Sequence, residues 1–173
     1  TSTSIVLNAG TIVVDQSTAA RFDSLIYGNA TLGAGMKIEG DGLAVLLGDA
    51  GNTFENNGTI DCDVQIAYAE VTGNGTYNGD VTIKVDDYFE FDGNVVISGG
   101  TWNGTLTVEE GASLSITGGI FKNDPSEWLA EGYKMSKLAD GTYGVEALKV
   151  YEVSTKAELD AAIAEARDGD VIE

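Results

Sequence analysis

The sequence predicts an all-β fold, a single-stranded parallel β-helix (solenoid) in which the chain winds around one axis and each coil pairs with the coil before it. Three observations predict this fold. The apolar residues occur in short runs, glycine is frequent while proline is nearly absent (23 against one), and short Asn-Gly motifs recur along the chain. Glycine at this frequency indicates many tight turns or close backbone approaches. Repeated short units are typical of solenoids.

The apolar runs between residues 5 and 121 are too short for helices and have the length of solenoid strands. The clearest are residues 5–7, 11–14, 81–85, 95–97, 105–108 and 113–116. Because each coil buries its side chains against the coils on either side, we expect seven side chains from these runs to stack in the interior. They are Ile83, Val85, Val96, Leu106, Val108, Leu114 and Ile116.

Two motifs repeat imperfectly. Residues 57–60, 74–77 and 103–106 read NGTI, NGTY and NGTL, and residues 99–102 and 118–121 read GGTW and GGIF. An Asn-Gly pair can equally form a two-residue hairpin, so an antiparallel β-sandwich is the alternative fold. The solenoid is favoured because the motifs recur on the same side of their strands, and because a Gly-Gly pair inside a β-rich run indicates a corner rather than a reversal.

After residue 122 the sequence pattern changes. The predicted parts are a parallel β-helix (1–122), a closing helix-hairpin segment (123–148), and a linker with a helix (149–173). Asp124 and Pro125 predict a short capping helix that extends through Ala130, and the alternation after it predicts a β-hairpin. We expect Trp128 and Tyr133 to cover an end or edge of the solenoid, where free strand edges would promote aggregation.

The last segment predicts one amphipathic helix. Thr155 and Glu158 form a capping box, and Gly169 follows the helix as a stop signal. The apolar face consists of Leu159, Ala162, Ile163 and Ala166. A strand then begins at Val171, so we expect the helix to open a following repeat unit in a longer protein.

Composition and charge exclude several functions. The net charge of −19 disfavours nucleic acid and anionic membrane surfaces as partners. The sequence contains no histidine, which excludes the serine and cysteine triads and the usual zinc sites. Cys62 lies between Asp61 and Asp63, whose charges disfavour a thiolate, so we interpret it as a buried filler. We therefore expect no enzymatic activity, no cofactor and no bound metal. No apolar run has transmembrane length, so we expect no membrane insertion.

The candidate ligand-binding residues are Tyr88, Glu90, Asp92 and Trp102. The first three belong to an acidic cluster, residues 86–92, in which strand alternation directs them towards solvent. Trp102 lies beside an Asn-Gly corner and is expected to be exposed. Together these side chains predict a site for a sugar ring or for calcium. The alternative is that the acidic cluster is a solvated face that keeps a β-rich surface from aggregating.

The last third of the chain carries motifs that occur together in one class of protein. In order, they are GGIF at 118–121, DP at 124–125, WL at 128–129, GY at 132–133 and DGTY at 140–143. This series resembles the closing motif of the glycine-rich, right-handed parallel β-helix repeat modules of large bacterial cell-surface, adhesin-like proteins. Residues 153–172 resemble the helix that opens the next unit in such arrays. The resemblance implies secretion, tandem repetition and an extracellular location at the bacterial surface, and it brings no catalytic residues.

Two functions are therefore expected. The first is a non-catalytic structural or adhesive module of a secreted or cell-surface bacterial protein, whose partners are neighbouring repeat units and a surface glycan or protein. The alternative is a carbohydrate-binding or calcium-dependent, polysaccharide-lyase-like β-helix module. Lyases of this fold need a strong base, and the only arginines are Arg21 and Arg167.

Overall fold

The computed structural model describes residues 4–15, 26–85 and 93–173. These residues form a β-solenoid of about seven turns, with ladders that run parallel from coil to coil. The predicted all-β parallel β-helix is confirmed. The alternative, an antiparallel sandwich, is wrong, because in the described ranges antiparallel pairing is confined to the closing hairpin and its junction with the last coil.

Two long strands near the N-terminus are followed by many short ones. The strands are β1 (Ser4–Val14), β2 (Ile26–Tyr27), β3 (Asn29–Gly40), β4 (Leu43–Leu47), β5 (Thr53–Asn56), β6 (Thr59–Ile60), β7 (Asp63–Ala67), β8 (Glu70–Thr72), β9 (Thr76–Tyr77), β10 (Val81–Ile83), β11 (Asn94–Ile97), β12 (Thr101–Trp102), β13 (Leu106–Val108), β14 (Ser113–Ile116), β15 (Gly119–Phe121), β16 (Tyr133–Lys137), β17 (Tyr143–Ala147), β18 (Val150–Tyr151) and β19 (Val171–Ile172).

The solenoid strands lie on three faces. The first face contains β5, β8, β11 and β14, the second contains β6, β9, β12 and β15, and the third contains β2, β4, β7, β10 and β13. The long strand β3 belongs to both of the first two faces, because residues 30–32 pair with β5 and residues 37–38 pair with β6. The strand β1 pairs with β3 along most of its length.

In-register parallel pairing stacks equivalent side chains of successive coils. On the second face, the inward column is Ile12, Ile38, Ile60, Tyr77, Trp102 and Phe121. The outward column beside it includes Thr59, Thr76, Thr101 and Ile120. The repeated Thr-apolar pairs therefore have a simple cause: successive side chains of a strand point to opposite sides, so each threonine faces out and the residue after it faces in.

Five of the seven predicted interior residues belong to or pack against one buried core. Ile83 and Ile116 are fully buried, and Leu106, Val108 and Leu114 are half-buried against the same cluster. The half-burial of these three follows from their position in β13 and β14, which are the last strands of the third and first faces. Val85 is half-buried and lies outside this core cluster.

The prediction for Val96 is wrong. Val95 and Ile97 are buried, whereas Val96 is only half-buried and pairs with Glu70 of the preceding coil. The three residues are all apolar, so the composition of the run does not reveal which of the two alternating sets faces the core.

Glycine in the NGT motif allows the coils to approach closely. A Cβ atom on Gly104 would overlap the carbonyl oxygen of Gly79 in the coil below, and one on Gly75 would overlap the side chain of Asn56. Neither glycine has a positive φ angle. At these positions glycine is thus required by coil spacing rather than by an unusual backbone conformation.

The closing segment ends the solenoid with a turn and a hairpin. The predicted helix is shorter than expected, a 3₁₀ turn over Ser126–Trp128, and the carboxylate of Asp124 accepts a hydrogen bond from the Ser126 N–H (2.9 Å). Trp128 is half-buried against the core, as predicted for a residue that covers an end. The hairpin prediction is confirmed: β16 and β17 pair antiparallel, and β17 pairs antiparallel with β15, so the hairpin extends the second face and includes the half-buried Tyr133.

The C-terminal segment forms a small β-α-β unit. Helix α1 (Lys156–Glu165) connects β18 to β19, which pair in parallel, and the capping box of Thr155 and Glu158 is present. Ala162 is buried, but Leu159 and Ile163 are exposed, so the predicted apolar face covers little of the described chain. Across the described ranges, no helix combines the length and apolarity that spanning a membrane would require.

Candidate functional site

Three of the four predicted ligand-binding residues, Tyr88, Glu90 and Asp92, lie outside the described residues. The sugar or calcium site at the acidic cluster therefore stays a prediction. In the described ranges, no group of three or more Cys, Asp or Glu side chains has an arrangement that could hold a metal ion.

Trp102, the fourth residue, is buried. Only 1% of it is exposed, its ring stacks on Tyr77 at a centroid distance of 3.8 Å, and its Nε1–H donates to the carbonyl of Gly99 (2.9 Å). A second parallel ring, Phe121, lies 6.1 Å away in the next coil. The prediction that Trp102 is an exposed sugar platform is wrong, because it occupies the inward column of the second face. The threonine before Tyr77 and Trp102 is the sequence signal that marks this position.

Cys62 is buried, as predicted for a filler residue. Burial raises the pKa of its thiol, and the charges of Asp63 and Asp61 add to this rise. A thiol with a raised pKa is a weak nucleophile at neutral pH, because the thiolate is the reactive form.

A row of polar side chains crosses the coils at one corner of the solenoid. Lys37 pairs with Asp61 (3.0 Å), Asn78 donates to Asp61, and Asn103 donates to the side-chain oxygen of Asn78 (2.7 Å). The hydrogen bond from Asn78 and the charge of Lys37 lower the pKa of Asp61. Each of these three contacts joins side chains of adjacent coils, so the row serves to tie coils together.

A groove of about 600 Å³ is open to solvent on the described part of the chain. It lies on the outward side of the second face, where the solenoid meets the hairpin. A column of residues forms its floor, each in register with the next: Thr101, Ile120, Gly144 and Ser136. Leu138 borders it on one side, and Glu146 and Arg167 border it on the other.

The charged side chains on one side of the groove pair with one another. Nη1 of Arg167 lies 3.8 Å from Oε1 of Glu146, and Nζ of Lys134 lies 3.9 Å from the same oxygen. Arg167 is the one arginine in the described ranges. Its guanidinium is paired with a carboxylate and is largely exposed, so the groove contains neither an isolated base nor an isolated acid.

A second, smaller cavity of about 140 Å³ lies at the end of the second face. Its apolar walls include Trp102, Phe121, Pro125 and Trp128. Its volume is well below the range of about 300–1,000 Å³ that is typical of small-molecule sites. We therefore regard the groove, rather than this cavity, as the candidate functional site.

The Gly-Gly pairs, predicted from the sequence as corners of the coil, also mark the position of the groove. The Gly-Gly pairs at 99–100 and 118–119 line the groove, and Gly144 lies in the closing hairpin. A Cβ atom on Gly99 or Gly118 would meet a carbonyl of the preceding coil, so these glycines allow close coil spacing beneath the groove. Which residues border the groove depends on how the hairpin docks on the solenoid, and this docking cannot be predicted from local sequence.

No family model, no curated protein and no solved structure matches this chain.

Proposed function

We propose that this chain is a non-catalytic structural and adhesive module of an extracellular bacterial surface protein: a stiff solenoid that holds a binding groove at a fixed position. The observation that carries the proposal is the continuous inward column of the second face, which ends in the stack of Tyr77, Trp102 and Phe121. Each coil buries its side chains on both neighbours, so bending the rod would separate packed aromatic rings.

Polar contacts between coils support the same proposal. The carboxylate of Asp63 accepts a hydrogen bond from the N–H of Asp80 (2.9 Å), and Asp80 in turn accepts one from the N–H of Thr105 (2.7 Å). These side chains satisfy backbone donors at the corners, where the ladder of strand hydrogen bonds is interrupted. A rod whose backbone N–H groups are hydrogen-bonded at the corners resists shear between coils.

Force spectroscopy tests the mechanical part of the proposal. A polyprotein containing this chain between α-helical reference domains is pulled by its ends. We expect the solenoid to unfold at forces above those of the helical domains and in several steps, because coils that contact only their neighbours separate one after another. A single unfolding event at or below the force of the helical domains would contradict the proposal.

Labelling of cells tests the location. Antibodies raised against the chain are applied to intact and to permeabilised cells of the source organism. We expect equal labelling of both, and loss of the epitope when intact cells are treated with protease. Labelling that requires permeabilisation would contradict a surface role.

A further inference from the structure

Gly144 in the groove floor has no packing explanation. A Cβ atom at this position would lie 3.5 Å from the side chain of Leu138, an ordinary contact, and the φ angle is not in the left-handed region. By contrast, a Cβ atom on Gly99 or Gly118 would overlap backbone carbonyls of the preceding coil. Glycine within a strand weakens it, and its usual reasons are a bulge or the close approach of another backbone or a ligand. In β17 the pairing with both neighbours is regular.

The groove runs past Gly144, beside the side chain of Leu138, and continues along the solenoid axis. The floor column passes from Thr101 through Ile120 and Gly144 to Ser136 across four adjacent strands, so its length is roughly 14 Å at a strand spacing of about 4.8 Å. The groove volume lies within the range typical of ligand sites. The shape suits an elongated molecule that lies across the strands.

The lining alternates hydroxyl groups and aliphatic surface. Thr101, Ser136 and Ser98 offer hydroxyls, whereas Ile120 and Leu138 are 39% and 37% exposed. Such a surface suits a saccharide, whose hydroxyls both donate and accept hydrogen bonds and whose C–H faces pack on aliphatic groups.

A peptide fits this surface less well. An extended peptide gains affinity by adding a strand to a free sheet edge. Most of the groove floor is the surface of a sheet: Thr101 and Ile120 donate their N–H groups to the preceding coil, and β17 is paired on both sides, so only Ser136 lies on the edge strand β16. A peptide that lay along the floor column, across the strands, would therefore leave its own backbone groups without strand partners.

The electrostatics disfavour an anionic ligand. The chain carries a net charge of −19, which repels polyanions at long range. The cationic groups beside the groove, Arg167 and Lys134, are already close to Glu146. These charges leave a neutral ligand as the best match.

We infer that the groove binds a neutral oligosaccharide in an extended conformation along the solenoid axis, with its hydroxyls at Thr101 and Ser136 and its ring faces on Ile120 and Leu138. The inference rests on the proposed adhesive function and names the class of ligand that the module would hold. Glycine at 144 keeps the groove floor low beside Leu138, which gives a sugar ring room to lie there.

The experiment is an NMR titration of the complete chain with three neutral hexasaccharides, cellohexaose, xylohexaose and mannohexaose. Each is added to about 10 mM, which detects Kd values of about 1 mM. We expect at least one sugar to shift amide signals of Thr101, Ile120, Gly144 and Ser136. A hexamer of galacturonate, which is anionic, should shift them at least tenfold less at the same concentration.

Two variants and a control test the position of the site. Gly144→Phe fills the groove and should weaken binding at least tenfold. Ile120→Thr, which continues the outward threonine column, should weaken it several-fold without altering the fold. Thr107→Phe places the same ring outward on the third face, where Thr107 is exposed, and should leave binding unchanged.

The outcomes that overturn the inference are distinct from those that overturn the proposed function. Absence of shifts with all three neutral sugars, shifts outside the groove, or stronger binding of galacturonate or of an extended peptide library would overturn the ligand class. None of these results changes the unfolding force or the surface labelling, which test the structural module separately.

Discussion

The ammonium group of Lys134 lies 2.7 Å from Oδ1 of Asp170, and this ion pair joins the closing hairpin to the C-terminal β-α-β unit. Both side chains are inaccessible, with 9% and 1% of their surfaces exposed. The same carboxylate accepts hydrogen bonds from the N–H groups of Lys149 (2.9 Å) and Arg167 (2.8 Å). Asp170 is therefore the main polar contact between the two parts.

Asp170 predicts how the C-terminal unit responds to pH. The hydrogen bond from Lys134, followed by those from Arg167 and Lys149, holds its pKa well below the ordinary value of 3.8. A lowered folded pKa contributes stability that is fully present above the ordinary value and is lost as the pH falls below it. We expect hydrogen-exchange protection of residues 150–172 to decrease below about pH 4, before that of the solenoid.

Asp170→Asn should abolish this pH dependence and leave residues 150–172 weakly protected at neutral pH. The control is Asp160→Asn, which removes an exposed pair with Lys156 within the helix. Such surface pairs contribute only about 0.3–0.5 kcal/mol. An equal loss of hydrogen-exchange protection in the two variants would contradict the role of Asp170.

The aromatic stack predicts that replacing each of the two tryptophans by alanine lowers the free energy of unfolding by a different amount. Trp102→Ala removes a fully buried ring between Tyr77 and Phe121 and should lower the free energy of unfolding by about 3–5 kcal/mol. Trp128→Ala, at a half-buried ring over the end of the core, should cost less. Chemical denaturation followed by circular dichroism measures both. A larger cost at Trp128 would contradict the stacking argument.

The hydroxyl of Tyr77 is buried beside the Asn56 side chain, and within the described residues it makes no hydrogen bond of good geometry. Burial also raises the pKa of this group. An unsatisfied polar group costs about 1–3 kcal/mol in a protein interior, so Tyr77→Phe should leave the free energy of unfolding unchanged or raise it by about 1 kcal/mol. The ring stack on Trp102 is retained in this variant. A loss of more than about 1 kcal/mol would show that the hydroxyl makes a stabilising contact.

Two glycines predict opposite responses to the same substitution. Gly104→Ala places a methyl group against the backbone of Gly79 and should lower the free energy of unfolding by more than about 2 kcal/mol. Gly144→Ala makes only an ordinary contact with Leu138 and should be neutral or stabilising by about 0.5–1 kcal/mol. Thermal denaturation compares them directly. Tolerance of Gly104→Ala would contradict the close spacing of the coils.

The acidic cluster at 86–92 gives a prediction that depends on sequence alone. If Tyr88, Glu90 and Asp92 form a solvated face, millimolar calcium should leave the melting temperature nearly unchanged. A specific site would instead stabilise the fold by about 2.7 kcal/mol at a hundredfold excess over its Kd. Calorimetry with the native chain and with Asp92→Asn distinguishes the two, because a specific one-to-one signal would disappear in the variant.

The sequence by itself determined the features that depend on local patterns. Short runs between glycines indicated strands, the NGT motifs at 57–59 and 74–76 indicated two coils in register, and Thr155 with Glu158 indicated the start of α1. Each of these depends on residues a few positions apart, whose steric and hydrogen-bonding preferences act within one strand, turn or helix end. The closing hairpin was predictable for the same reason. The third NGT motif, 103–105, lies at a different corner, because Thr101 rather than Thr105 pairs with Thr76.

Only the tertiary structure decided which side of each strand faces the core and what surrounds the groove. The run around Val96 is apolar throughout and does not show which residues face the core, and the single Thr-Trp pair at 101–102 gains its meaning only from its register with Thr76 and Tyr77. The column that stacks Trp102 on Tyr77 depends on a register between coils that are 25 residues apart. The pairing of Gly144 with Ile120 forms when the hairpin docks on the last coil, and the ion pair of Lys134 with Asp170 forms when the C-terminal unit docks on the hairpin. Both contacts join segments that are distant in sequence, so local patterns do not predict them.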